Sequence, residues 1–170
     1  SFSMLASGVY VFNDIIDIDH DRKHSKKKYR PIADGKLSIF SAYVILIICI
    51  CGGMIIAMYL GKSFFLIGVS YIILNLLYSL VLKRIIILDV VLLMLFYVFR
   101  LIAGHIPDAI PISPWLISFA MFLFFSLALL KRYVDIILNC DDNVSLLSGR
   151  GYSYNDGRVL MMLGVGSGLL

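Results

Sequence analysis

Four apolar runs dominate the chain, at residues 39–60, 64–82, 85–104 and 113–130, each about the length a helix needs to cross a bilayer. Backbone inside hydrocarbon must satisfy its own hydrogen bonds, which leaves only helices or a closed barrel. Barrel strands alternate apolar and polar residues and these runs do not, so the chain reads as all-α and membrane-embedded. Composition agrees: 61% of the 170 residues are hydrophobic and mean hydropathy is +0.94, against about 45–50% apolar residues in soluble domains.

The connections between runs are short. Gly61 with Lys62 makes one turn, Lys83 with Arg84 a second, and HIPDAIPISP a third, stopped by Pro107, Pro111 and Pro114. The apolar runs at residues 1–12 and 159–170 are too short to span alone, and the reading expects further helices beyond both ends. One crossing per run puts every Lys and Arg except Lys62 and Arg100 on one side of the membrane. The positive-inside rule makes that side cytoplasmic, and the chain a multi-pass protein of the plasma or inner membrane. Net charge is only +4, with no extended charged tail, so a nucleic-acid partner is not expected. Cys49 and Cys51 lie in an apolar run and Cys140 in the cytosolic segment; they read as small hydrophobes or idle thiols.

One stretch breaks the apolar pattern: VYVFNDIIDIDHDRKHSKKKYRPIADG, residues 9–35. Asn13, Asp17 and Asp21 recur every four residues, so on a continuing helix they share one face, with Asp14 beside them. Stacked like charges repel unless a cation lies between them, and oxygen-only donors suit a hard ion such as Mg²⁺. Mg²⁺ is usually held by a few carboxylates plus substrate phosphates, so the metal implies a phosphorylated ligand. Lys23, Lys26, Lys27, Lys28 and Arg30 then stand ready to screen phosphate charge. Two other readings stay open: solvated acids followed by bases that fix topology, and a zinc site from His20 and His24 with Asp21.

Two further stripes share the spacing. Asn75, Ser79 and Lys83, with Tyr78 adjacent, run down one apolar segment toward the cytoplasm; Lys131, Asp135 and Asn139, with Arg132 alongside, end another. Polar groups at membrane depth usually face a bundle interior or a wet cavity. Asn75 with Ser79 could equally act as interhelical glue. Three stripes ending on one membrane face are better explained by a shared cavity. Asp89 lies about one turn inside the next helix, either bordering that cavity or paired with Lys83 or Arg84. Arg100 is too far along the helix to pair with Asp89 and is expected to snorkel outward.

At these residues the sequence resembles the UbiA superfamily of intramembrane prenyltransferases. NDIIDIDHD matches its NDxxDxxxD signature, and RPIADG, LLYSLVLKR and FRLIAG look like the segments that follow. The resemblance covers essentially the whole chain. It implies one transmembrane helical bundle over residues 1–170, a fragment of a nine-helix fold from about its second helix to the start of its seventh. It also implies an enzyme that binds a diphosphate donor through Mg²⁺ and transfers the donor's C1 group to an acceptor in the bilayer, with an isoprenoid or polyprenyl lipid as substrate. Carried over by position, Asn13, Asp14, Asp17 and Asp21 hold the metal, while Asp17, Lys83 and Asp135 carry the catalytic step. Lys27, Lys28, Arg30, Asn75 and Tyr78 then contribute to donor binding.

The second motif departs from that pattern. Where prenyl-transferring members usually carry DxxxD, this chain has LLKRYVDIILNCDD, with Asp135 and Asn139 after two bases. KRYVD instead looks like the branch that includes decaprenyl-phosphate phosphoribosyltransferase, with phosphoribosyl diphosphate as donor and a polyprenyl phosphate as acceptor. Lys131, Arg132 and Arg150 suit those additional phosphates. In SGRGYSYNDG, Gly149 and Gly151 would let backbone approach an anion or simply form a flexible loop, and Asp156 is expected to cap the next helix. Three function classes therefore remain: a Mg²⁺-dependent prenyl-type transferase, a phosphoribosyltransferase, and a non-catalytic transporter or scaffold.

Overall fold

The computed structural model describes residues 1–23, 27–107, 111–139, 151–153 and 155–169, excepting the side chains of Lys23, Leu138 and Asn139. Its helices are α1 Phe2–Ile16, α2 Ile18–Lys23, α3 Ile39–Tyr59, α4 Lys62–Leu80, α5 Leu88–His105, α6 Pro114–Asn139 and α7 Asp156–Gly168. Four of them, α3 to α6, are long and apolar enough to cross a membrane, so this is an all-helical, multi-pass membrane protein.

Local chemistry sets the helix ends. Ser38 caps α3, its hydroxyl accepting the Ser41 N–H at 3.0 Å, and Gly61 takes φ +113° where α3 turns into α4. Two ends differ from the apolar pattern. First, α4 stops at Leu80 and the chain tightens into a 3₁₀ turn over Leu82–Arg84, so Lys83 leaves the helical stripe that Asn75 and Ser79 begin. Second, α6 continues past residue 130 to Asn139, because polar side chains extend a helix once it leaves the lipid.

Helix α1 likewise ends at Ile16, yet the spacing of its acids survives. Asp17 N–H donates to Asn13 O at 2.9 Å and Asp21 N–H to Asp17 O at 2.8 Å, which keeps the i→i−4 register through the break into α2.

The described chain falls into two compact units, Ser1–Leu76 and Leu77–Leu170. In the first, α1 lies against α3 through small residues. A Cβ on Gly53 would stand 2.5 Å from Leu5 Cδ2, and one on Gly8 would stand 2.7 Å from Ile50 Cδ1. Ser1 Oγ also donates to Gly53 O at 2.8 Å. Close backbone approach of this kind replaces the hydrophobic drive that lipid removes.

The second unit packs α5, α6 and α7 around Val90, Ala128, Leu129, Ile136, Tyr152 and Leu160. Ser126 Oγ crosses from α6 to α7, donating to Gly164 O at 2.7 Å. Tyr97 stacks on Phe124 with ring centroids 4.6 Å apart. Trp115, at the start of α6, is 84% exposed, as befits an aromatic at a membrane interface.

Candidate functional site

Among the described residues, a polar cluster stands in each unit. In the first, RPIADG folds back on itself: Asp34 N–H donates to Arg30 O at 2.8 Å and Leu37 N–H to Pro31 O at 2.9 Å, with Gly35 at φ +78° completing the turn. Arg22 Nε donates to Ala33 O at 3.3 Å and ties this turn to α2. The turn delivers Arg30 to the acidic motif. One guanidinium nitrogen, Nη1, donates to Asp14 Oδ1 at 2.7 Å and to Asp21 Oδ2 at 2.8 Å.

Asp14 and Asp21 therefore converge on a single positive atom. Asp21 is nearly buried, at 3% exposure, and Asp17 sits between them in sequence as the C-cap of α1, half-buried. Asp14 lies outside the four spans, and burial holds its carboxyl above the usual carboxylate range while the Arg30 charge opposes that shift. Oxygen donors gathered about one cation suit a hard metal ion. Among the described residues no three Asp, Glu, His or Cys side chains form a metal cluster. Two carboxylates are nonetheless what Mg²⁺ uses when phosphate and water complete its shell, so the residues fit the ion in that mode.

In the second unit, Asp89 is the centre of the cluster. It is fully buried, and its carboxylate takes a bidentate grip from Arg132, with Nε on Oδ2 and Nη2 on Oδ1 at 3.0 Å. Tyr78 O–H donates to the same Oδ1 at 2.6 Å. Arg132, 1% exposed, uses Nη1 to reach Asp135 Oδ2 at 2.8 Å, an i,i+3 pair available only because α6 continues past 130. Phe96 meets the Tyr78 ring edge-on at 5.5 Å and closes the apolar side.

The sequence left Asp89 either bordering the cavity or paired with Lys83 or Arg84; its carboxylate is gripped by Arg132 of α6. The available signal was a carboxylate inside an apolar run, which calls for a partner at the same depth. Arg132, expected to meet phosphate, is enclosed by two carboxylates. Arg100, expected to snorkel, places its guanidinium carbon 5.6 Å from the Tyr97 ring centroid.

The other predicted residues fall at several places. Asn75 is buried and donates Nδ2 to Tyr71 O at 2.8 Å, a bond within its own helix. Lys27 and Lys28 form a 3₁₀ turn with Tyr29, and Lys28 Nζ stands 5.1 Å from the Tyr29 ring centroid. Asn13 and Lys83 are half-buried and Lys131 is exposed. Asp156 opens α7 and accepts from Ser153 N–H at 2.7 Å and Ser153 Oγ at 3.0 Å, so it reaches back to the preceding loop. His24, Lys26, Cys140, Gly149 and Arg150, and the Asn139 side chain, lie outside the described residues.

Comparison with known proteins agrees with these motifs. A decaprenyl-phosphate phosphoribosyltransferase of Mycobacterium tuberculosis is 31% identical over 137 residues, covering 81% of this chain and 45% of that protein. The nodulation protein NoeC of Azorhizobium caulinodans is 33% identical over 168 residues, covering 99% of this chain and 55% of its own length. An uncharacterized protein, y4nM, of Sinorhizobium fredii is 34% identical over 156 residues, 92% of this chain and 30% of that one. The chain thus spans about half or less of these curated relatives. The profile of the UbiA prenyltransferase family matches residues 1–137, from the first acid-bearing helix through the Asp89–Arg132–Asp135 cluster, and the chain belongs to that family.

Proposed function

We propose that the full-length protein transfers the C1 group of a diphosphate donor, of prenyl type, to an acceptor in the bilayer. The observation that supports this most is the convergence of Asp14 and Asp21 on one cationic atom, within a motif that also supplies Asn13 and Asp17. Breaking the C1–O bond leaves positive charge on carbon and negative charge on the diphosphate. Groups preorganised around the diphosphate therefore lower the barrier.

Asn13, Asp14, Asp17 and Asp21 are the groups that would hold Mg²⁺, whose contribution when bound is to neutralise the leaving diphosphate. Lys27, Lys28 and Arg30 offer donors to phosphate oxygens. Tyr78 and Lys83 would lie near the leaving diphosphate, as the resemblance implies, and Asp89 accepts from the Tyr78 hydroxyl. Arg132 orients Asp135, and exposed Lys131 beside it offers a further donor to phosphate. An isoprenoid or polyprenyl lipid substrate suits the apolar helix surfaces, and the basic side of the protein faces the cytoplasm.

A second reading, transfer from phosphoribosyl diphosphate to a polyprenyl phosphate, draws support from the named function of the mycobacterial relative and from Lys131 beside Arg132. The two separate in one assay. The full-length protein in nanodiscs is incubated with a radiolabelled prenyl diphosphate, or with phosphoribosyl diphosphate plus a polyprenyl phosphate. A lipid product that needs Mg²⁺ and disappears in Asp17→Ala is expected; no product from either donor class counts against the transferase reading.

A further inference from the structure

The turn between α4 and α5 is bent against the preference of its own residues. Ile87 has φ +67° and ψ −45°, and Leu88 N–H donates to Ile86 O at 2.8 Å, closing a three-residue γ-turn around it. A β-branched residue at positive φ is a true outlier and persists only where its surroundings hold it. Among the described residues it is the one non-glycine position with positive φ. Hydrogen bonds from Arg84 N to Val81 O at 3.3 Å, Ile85 N to Leu82 O at 3.1 Å and Asp89 N to Ile85 O at 3.1 Å make the whole hook one piece. Lys83 lies on its first arm, and Asp89 lies two residues past the strained centre.

What grips the hook comes from the far side of α6. Tyr152 is fully buried, its ring packed in the core with Val90, Leu129, Ile136 and Leu160. Its hydroxyl accepts the Ile87 N–H at 3.1 Å. The preceding residue makes a second, independent contact: a Cβ on Gly151 would stand 2.8 Å from Arg84 O and 3.3 Å from Ile86 Cγ1. The ring is anchored by apolar packing, so the hydroxyl is a fixed point against which the strained amide rests.

We propose that Tyr152 is a positioning residue: by accepting the Ile87 amide it holds the strained hook in place. Through the hook it sets Lys83 and the Asp89 carboxylate that orients Tyr78 and Arg132. Its consequence for catalysis rests on the reading of Lys83 and Tyr78 as groups that face the leaving diphosphate.

The test uses the full-length protein in nanodiscs, with amide hydrogen exchange over residues 82–90 and binding of inorganic pyrophosphate with Mg²⁺ as separate readouts. Tyr152→Phe keeps the ring and removes the acceptor. Exchange over 82–90 is expected to speed about fivefold, the loss of one net hydrogen bond, and pyrophosphate to bind several-fold more weakly. In an Ile87→Gly background the same change should matter less to exchange, because glycine takes positive φ without strain. Unchanged exchange in Tyr152→Phe overturns the proposal, as does an equal effect in both backgrounds. Faster exchange, coupled to Ile87→Gly, with pyrophosphate affinity intact would uphold the grip on the hook and count instead against the diphosphate reading. Lys83→Ala checks that reading separately, since it should weaken pyrophosphate binding. If Tyr152→Phe does not fold, Gly151→Ala, which forces the same segment off Arg84 O, must raise exchange over 82–90, and no rise there overturns the proposal.

Discussion

Asp89 and Arg132 stand 43 residues apart in the chain and form a buried, bidentate ion pair inside one unit. Neither side chain is more than 1% exposed, and the Asp89 carboxylate is held by Arg132, which Asp135 contacts as well. Desolvation largely cancels the attraction within such a pair, but removing one partner strands the other charge.

Arg132→Met should therefore destabilise the full-length protein by about 3–5 kcal/mol, because the fully buried Asp89 carboxylate loses the guanidinium that grips it. Thermal unfolding in detergent measures it. Asp89→Leu combined with Arg132→Met should recover most of that loss, since the fully buried carboxylate goes with its partner and only the part-exposed Asp135 loses a contact. Donor turnover should stay low in the double variant, because Tyr78 and Asp135 lose the partners that orient them. Equal stability losses in the single and double variants would refute the pairing argument.

Arg30 competes with any divalent ion for Asp14 and Asp21, since its Nη1 contacts both carboxylates. Arg30→Gln removes that competitor and, on the proposed function, one donor to phosphate. Binding of Mn²⁺ alone, followed by titration calorimetry, should become tighter. Affinity for a diphosphate compound should fall about tenfold, the order expected for one charge-assisted hydrogen bond. Weaker binding of Mn²⁺ in the variant would argue that Arg30 helps assemble the acids instead of competing for them.

Gly53→Ala pits two effects against each other. Alanine favours the helix by about 1 kcal/mol over glycine. Its Cβ, however, would stand 2.5 Å from Leu5 Cδ2, 2.9 Å from Leu5 Cγ and 3.2 Å from the Leu5 backbone nitrogen, and Leu5 is fully buried. Overpacking of this kind costs about 1–3 kcal/mol, so a net loss of stability is expected in a thermal scan. Adding Leu5→Ala should return part of it, because the clash is mainly with that side chain.

Much of this protein can be read before folding it. Apolar length alone announced α3, α4, α5 and α6, because a helix in lipid needs a run of fixed size whatever its neighbours. The four-residue spacing of Asn13, Asp17 and Asp21 kept its meaning even though α1 ends at Ile16, since the backbone bonds that define the register continue. The stripe through Asn75 and Ser79 did not extend to Lys83, because the chain leaves the helix at Val81. Periodicity cannot show such an exit when Val81 and Leu82 are as apolar as the residues before them.

Partners across long separations were out of its reach. Asp89 had bases nearby in sequence, yet burial brought it Arg132 of the next helix, and an arginine expected to meet a ligand became part of the protein's own interior. Tyr152 carried no signal at all: an aromatic after a glycine is common, and only the fold places its hydroxyl on a strained amide. Sequence alone determined the helical class, the spans and the acidic motif, because these follow from local spacing and transfer from water to lipid. Tertiary structure decided which charges are matched within the protein, because that depends on which side chains share a low-dielectric interior where no charge can remain alone.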